Sequence, residues 1–307
     1  MTTQVHPIRE TLATVSVGAP IAHGALTVFP LYAAASASPD WLTLAGAGDA
    51  VTVTEVSDAG SVPSLHVANH ADRPVLLLDG DELIGAKQNR VANTTVLIGA
   101  KATATIPVSC VEQGRWSYRG RRSQASEYSL YASVRRKKAA RVSTSLRQRG
   151  RHDADQGEVW NELADKAAFL GVQSPTGAMH DVYERYGETV KLARDAVAAT
   201  PDQTGAIVYV AGEWAGLELL ATSVLFAEAW RRISTGYIAD ALGRKASNAL
   251  QYTPAETIAR VLAATLEPAP AVGLGAEYRI NGNEAVGAAL VVDGLVVHLA
   301  TFPAVAD

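Results

Sequence analysis

The residue types best suited to chemistry concentrate in two short stretches of this 307-residue chain. The first, DGDELIGAKQNR (79–90), follows an apolar run with acids, amides and cations and little hydrophobic spacing. Asp79, Asp81 and Glu82 are of the kind that serve as general acid, general base or cation ligand. Lys87, Gln88, Asn89 and Arg90 can orient an anion or an amide. Groups at strand ends sit on a rigid scaffold, which is where functional side chains gather. A charged turn without function has the same composition, because polar residues are common in turns of every kind.

The second stretch is PVSCVEQGRW (107–116). Alternation along a strand puts Cys110 and Glu112 on one face, with Ser109 on the other. A thiol beside a carboxylate, followed by Arg115, is one arrangement for a nucleophile set by nearby charge. A lone cysteine in a strand is more often a small buried hydrophobe, and a neighbouring carboxylate raises a thiol pKa. Arg115 with Trp116 and Tyr118 offers a different use, stacking on a base or sugar with a guanidinium on phosphate. Arg119 extends that cationic group.

Elsewhere the signals thin out. There is no HExxH, no CxxC and no histidine cluster, so no metal site is expected. GLGAEY (273–278) lacks the glycine pattern of a dinucleotide fold, and nothing identifies a cofactor. His180 and Asp181 fall in a helix's first turn with Glu184 one turn on, which suits a metal or base role only if another group opposes them. Without one, His180 is a satisfied helix-start histidine. His298, in VVHLATF, is expected on the polar face of a strand.

These residues need elements to position them. From Ile8 to Glu112 the pattern is β-like: LTVFPLY (26–32), VTVTEV (51–56), SLHVAN (64–69), PVLLLDG (74–80), NTTVLI (93–98) and TATIPVSCVE (103–112) are separated by Pro, Gly, Asn and Asp. Helices are expected over 153–172, 177–199, 223–242 and 253–267. The first is capped by Asp153 or Asp155, and the last has Thr253, Pro254 and Glu256 in capping-box order. Three hairpins are expected: 207–221 turning at Gly212, 277–286 through Asn-Gly, and 289–302 through Asp-Gly. Strands at both ends that pair across the chain give an α+β fold. The reading is a single compact unit over 1–307, with a β-rich part (1–122), a basic and helical part (123–200) and a mixed α/β part (201–307).

Hydrophobic residues make up 48% of the chain, enough for a sizeable core built from Ala, Val and Leu. The single cysteine, Cys110, excludes an intramolecular disulfide and fits a reducing compartment. With no basic-then-apolar start and no apolar run near the roughly 20 residues of a bilayer span, a cytoplasmic protein without a membrane partner is expected. The net charge of −4 conceals an asymmetry. Between Arg115 and Arg151 lie twelve Arg or Lys against Glu127 alone, a charge of +11, leaving −15 on the rest. Such a block attracts a phosphate, nucleotide or nucleic acid, or else pairs with the protein's own acids.

LLLDGDELIGAKQNRVANTTVLI (76–98), IPVSCVEQGRWSYR (106–119), DQGEVW (155–160) and SPTGAM (174–179) together resemble a prokaryotic family with no established reaction. The family is named for its association with ADP-ribosylglycohydrolases and rhodanese-phosphatases. The resemblance runs in order from about Leu12 to VVHLATF at 296–302. It implies a link to ADP-ribose or NAD-derived metabolites, by association and not by mechanism. It carries over Glu82, Lys87, Gln88, Asn89, Arg90, Cys110, Glu112, Arg115 and Trp116 as motif residues.

Two functions follow. One is an enzyme on an ADP-ribosyl, nucleotide or other phosphorylated small molecule, with Glu82, Glu112 or Cys110 catalytic and Lys87, Gln88, Asn89, Arg90, Arg115, Trp116 and Arg119 binding ligand. The other is a sensor or scaffold that holds an anionic ligand or nucleic acid on the basic segment 115–151. Assembly into a homo-oligomer stays open. The two motif stretches are expected side by side, and the run Arg135-Arg136-Lys137-Lys138 is expected to be mobile through self-repulsion.

Overall fold

The computed structural model describes residues 6–33 and 39–305, and the fold is α+β. Its helices are α1 (Pro7–Thr14), α2 (Leu44–Ala47), α3 (Ala132–Arg149), α4 (Gln156–Phe169), α5 (Met179–Ala196), α6 (Ser223–Ala241) and α7 (Pro254–Ala263). The expected signals explain several boundaries. The Asp155 side chain accepts from Glu158 N to cap α4, and Gly171, at φ 64°, follows its end. Thr253 and Glu256 form the capping box of α7 with Pro254 at its first position.

A nine-stranded antiparallel sheet forms the larger β element. Its centre pairs Leu26–Tyr32 with Gly205–Val210, then Glu213–Leu220, Leu295–Pro303 and Ala285–Val292. All three expected hairpins are present in it, at Gly212, Asn281-Gly282 and Asp293-Gly294. Asp293 and Gly294 both take positive φ (50° and 80°), the twist a two-residue hairpin requires. Both faces of the sheet are covered. Ala206, Val208 and Val210 join the core under α3, α5 and α6, while Ile207 and Tyr209 meet Ile8, Leu12 and Val261 of α1 and α7. Period-two alternation therefore serves two cores at once.

The pairing of N-terminal with C-terminal strands stops at Leu26–Tyr32. Most of the remaining N-terminal strands close into a barrel of Thr103–Cys110, Ser64–Asn69, Val51–Glu55, Arg122–Ser129, Asp81–Gly85 and Arg90–Ala92, while Leu42–Thr43, Val75–Leu77 and Val96–Ile98 form a separate three-stranded sheet. Val53, Leu65, Val67, Leu83, Ala92, Ile106 and Val108 belong to its core. Closure removes the open edges that so many short strands would otherwise expose.

Three expectations need correction. Pro7–Thr14, read as the opening of the β-like region, is helical, because Pro7 opens α1 and Ile8 and Leu12, four apart, are its buried pair. α7 stops at Ala263, since Thr265–Ala269 adds to the sheet edge beside Ala276–Asn281, where Pro268 is tolerated. The run expected to be mobile lies inside α3, with Arg135 and Lys138 buried one turn apart beside Val134, Ala139 and Val142. Its repulsion is cancelled by carboxylates from distant segments. Arg135 donates to Glu218 at 2.5 Å and to Asp79 at 3.2 Å, and Lys138 pairs with Asp79.

Candidate functional site

The two motif stretches lie on neighbouring barrel strands. Cys110 is opposite Arg90, Leu83 is also opposite Arg90, and Glu82 is opposite Val91. SPTGAM joins them, since Glu112 bridges Ala178 and Gly114 N donates to Thr176 O at 2.7 Å. Within this block the side chains divide into three groups.

The first group is closed on itself. Glu112 is buried; its Oε2 accepts from Arg115 at 2.6 Å and from Asn89 N at 3.1 Å, and its Oε1 from Thr176 Oγ1 at 3.1 Å. Burial alone would push its carboxyl up, but the Arg115 and Asn89 hydrogen bonds hold it below the usual range. Arg115 is buried and donates through Nη1 to Ala86 O and Ser117 O and through Nη2 to Gly85 O and Asn89 Oδ1, while its Nε is buried without an acceptor among the described residues. Gln88 Nε2 donates to Glu112 O at 2.8 Å. This set latches the 112–119 loop to the barrel and engages both oxygens of Glu112 within the protein. Arg119, exposed and 3.7 Å from Glu112, extends from this group into solvent.

The second group surrounds Cys110. The thiol is buried, and burial pushes it up to about 11, with Arg90 opposing and Glu55 adding to the shift. Glu55, and not Glu112, is the carboxylate that shares its surroundings; past the end of the strand at Cys110, alternation no longer places Glu112 beside it. The Gln156 side chain of DQGEVW hydrogen-bonds both Cys110 N (2.8 Å) and Cys110 O (2.9 Å). Arg90 donates to Val62 O and Gln88 O, and Lys87 to Asp58 O and Ala59 O, so both pin the 57–63 loop. Trp116 is exposed over them, with Lys87 5.4 Å and Arg90 5.3 Å from its ring.

The third group is open to solvent. Glu82 is buried on strand Asp81–Gly85, with Oε2 3.1 Å from His180 Nδ1 and Oε1 buried without a partner among the described residues. His180, in the first turn of α5, is half-buried, and its outer nitrogen Nε2 lies 3.8 Å from Glu184. The Glu82 hydrogen bond raises the imidazole pKa, with burial working against it. Glu184 also lines a cleft of about 770 Å³ with Arg119, Thr176, Asp181 and Arg185. An imidazole oriented by a carboxylate, beside Glu184 of a cleft that carries two arginines and two acids, can transfer protons next to a group held by those arginines. The opposing group that His180 needed is therefore Glu82, from the first motif.

Residues beyond the motifs also carry charge inward. His298, expected on a polar face, is buried and bonds Glu218 at 3.0 Å and Thr95 at 2.6 Å. Glu218 was legible as a lone acid in the apolar run GLELL (216–220). Burial would raise its carboxyl, yet Arg135 and His298 hold it low. Among the described residues no three His, Cys, Asp or Glu side chains come together as a metal-holding group. No helix there is long and apolar enough to cross a membrane.

A family model described as the ARG and Rhodanese-Phosphatase-superfamily-associated Protein domain matches residues 14–302. Neither the curated proteins nor the solved structures contain a match to this chain.

Proposed function

This chain belongs to the ARG and Rhodanese-Phosphatase-superfamily-associated Protein domain family, and from that premise we propose that it is an enzyme acting on an ADP-ribosyl, nucleotide or other phosphorylated small molecule. The family name associates it with ADP-ribosylglycohydrolase and rhodanese-phosphatase systems, which supports the substrate class. The observation that carries the reading is the Glu82–His180 pair beside the cleft of Arg119 and Arg185. Arg119 and Arg185 take the phosphate oxygens. Glu82 orients His180, whose outer nitrogen removes a proton from an attacking water; the leaving oxygen departs with the bonding pair and takes that proton. Glu112, Arg115, Gln88 and Asn89 are positioning residues that hold the Arg119 loop.

Binding of a nucleic acid through the basic segment has less support. Nine of its twelve cations have a carboxylate within 4.0 Å: Arg115 and Arg119 on Glu112, Arg121 on Asp58, Arg135 and Lys138 on Asp79, Lys137 on Glu162, Arg141 on Glu158, Arg147 on Glu267 and Arg151 on Asp153. The segment's charge is largely spent inside the molecule.

A thermal-shift screen with ADP-ribose, nucleotides and sugar phosphates tests the reading. A ligand at a hundredfold over its dissociation constant adds about 2.7 kcal/mol of stability. Ligands that shift the native protein should lose their effect in the double variant Arg119→Ala/Arg185→Ala and should be turned over by wild type but not by His180→Ala. No shift and no turnover across the panel would overturn it.

A further inference from the structure

A second cavity, of about 420 Å³, opens between α3, α4, α6 and the hairpin that joins Val210 to Trp214. It shares no residue with the Arg119 cleft. Its volume is in the range of small-molecule sites. Most of the charges in its wall are paired: Lys166 with Asp240 at 2.9 Å, Arg244 with Glu213 at 3.4 Å, and Glu162 with Lys137. Two are not. Among the described residues, neither Arg136 nor Asp165 has an oppositely charged partner within 4.0 Å.

Arg136 is the more telling of the two. It is half-buried, and its Nε is shielded from solvent with no acceptor. It also lines an adjoining cavity of about 270 Å³, where the other cation, Arg260, is already paired with Glu284. Trp214, 2% exposed, lines both cavities, and its buried Nε1 has no acceptor either. A buried donor without an acceptor is a loss relative to water, so acceptor groups from a ligand would recover it. Phe169, 61% exposed at the cavity, offers an apolar ring at the rim.

We propose that this cavity binds a small zwitterion, an α-amino acid with an aromatic or large apolar side chain. The ligand carboxylate pairs with Arg136, in a geometry that accepts two N–H donors. Its ammonium group pairs with Asp165, and its side chain packs on Phe169 and Trp214. The wall carries four carboxylates, Glu162, Asp165, Glu213 and Asp240, against the three cations Arg136, Lys166 and Arg244, a balance that does not attract a polyanion such as the nucleotides of the Arg119 cleft.

Calorimetric titration of the full-length protein tests this with L-phenylalanine, phenethylamine and 3-phenylpropionate. The first carries both charged ends; each of the others lacks one. L-phenylalanine is expected to bind, with both analogues weaker by at least about tenfold. Arg136→Gln should weaken L-phenylalanine by about tenfold while leaving phenethylamine unchanged, and Asp165→Asn should do the same relative to 3-phenylpropionate. No binding of L-phenylalanine to wild type at millimolar concentration overturns the proposal, as does binding that tolerates loss of either charged end. The three-ligand comparison needs no variant, so a misfolded Arg136→Gln protein leaves the decision intact.

Discussion

Glu82 Oε2 and His180 Nδ1 are 3.1 Å apart although 98 positions separate them in the chain. The barrel strand Asp81–Gly85 delivers one and the first turn of α5 the other. Glu82 is held by strand pairing opposite Val91, and the start of α5 is tied to residues 111–114 by the bonds of Gly114 N to Thr176 O and Met179 N to Val111 O.

The first prediction concerns this pair and pH. His180 has a pKa raised above its ordinary 6.5, first by the Glu82 hydrogen bond. Its stabilising contribution is therefore fully present below 6.5 and is lost as pH rises through the raised folded value. A His180 acting as base gives turnover that increases as pH rises through that same value. In Glu82→Gln, NMR titration should find the imidazole pKa moved down, and the acid limb of any pH–rate profile should move with it. An unchanged His180 titration in the variant would sink the assignment.

The second prediction concerns the ion pairs between α3 and the sheet. Arg135 is fully buried between Glu218 and Asp79. Removing one partner of a buried pair strands the other charge, at about 3–5 kcal/mol. Glu218→Gln should lower stability by about that amount in urea unfolding, far more than Glu158→Gln at the exposed Arg141 pair, expected at about 0–1 kcal/mol. Equal losses at the two sites would mean that the buried network is not what holds α3.

Acid should attack the same network. The carboxyls of Asp79, Glu218, Glu112 and Glu277 are all held below their ordinary values by adjacent cations or hydrogen bonds, which outweigh burial. Groups with depressed folded pKa values stabilise above their unfolded values, here 3.8 for Asp and 4.5 for Glu, and lose that contribution as pH falls through the folded ones. Melting temperature should therefore drop steeply below about pH 4.5, more steeply for wild type than for Asp79→Asn. A flat melting temperature from pH 5 to pH 3 would contradict it.

The contrast between hairpins and ion pairs marks how far the sequence is legible. Asn281-Gly282, Asp293-Gly294 and the Thr253/Glu256 box act over a few residues, so local pattern finds them. Barrel closure, by contrast, is a global property that six short β runs do not reveal. The same limit governs the site. Cys110, Glu112 and the 79–90 stretch were placed together by strand spacing, yet their partners Glu55, Gln156, and Thr176 with His180 come from three other segments. Like charges at 135 and 138 read as repulsion until Asp79 and Glu218 arrive by tertiary folding. Amides across 133–142 should accordingly exchange slowly with solvent; fast exchange there would restore the mobile reading.

The last prediction decides the role of Cys110. Its thiol is buried, faces Val62 O at 3.9 Å and is pushed up to about 11. At neutral pH only a minute fraction is thiolate, the form that reacts with alkylating reagents. Iodoacetamide should therefore label the native protein far more slowly than the urea-unfolded chain, and the native rate should follow opening of the 57–63 loop that Arg90 and Lys87 pin. Cys110→Ala should cost at most about 1–2 kcal/mol, as a small core truncation does, and leave turnover unchanged. Arg90→Ala separates packing from chemistry. It frees Val62 O and Gln88 O, loosens the loop and should accelerate labelling, even though removing a nearby cation disfavours the thiolate. Slower labelling in Arg90→Ala would mean that charge, and not burial, controls the thiol, and would return Cys110 to the candidate nucleophiles.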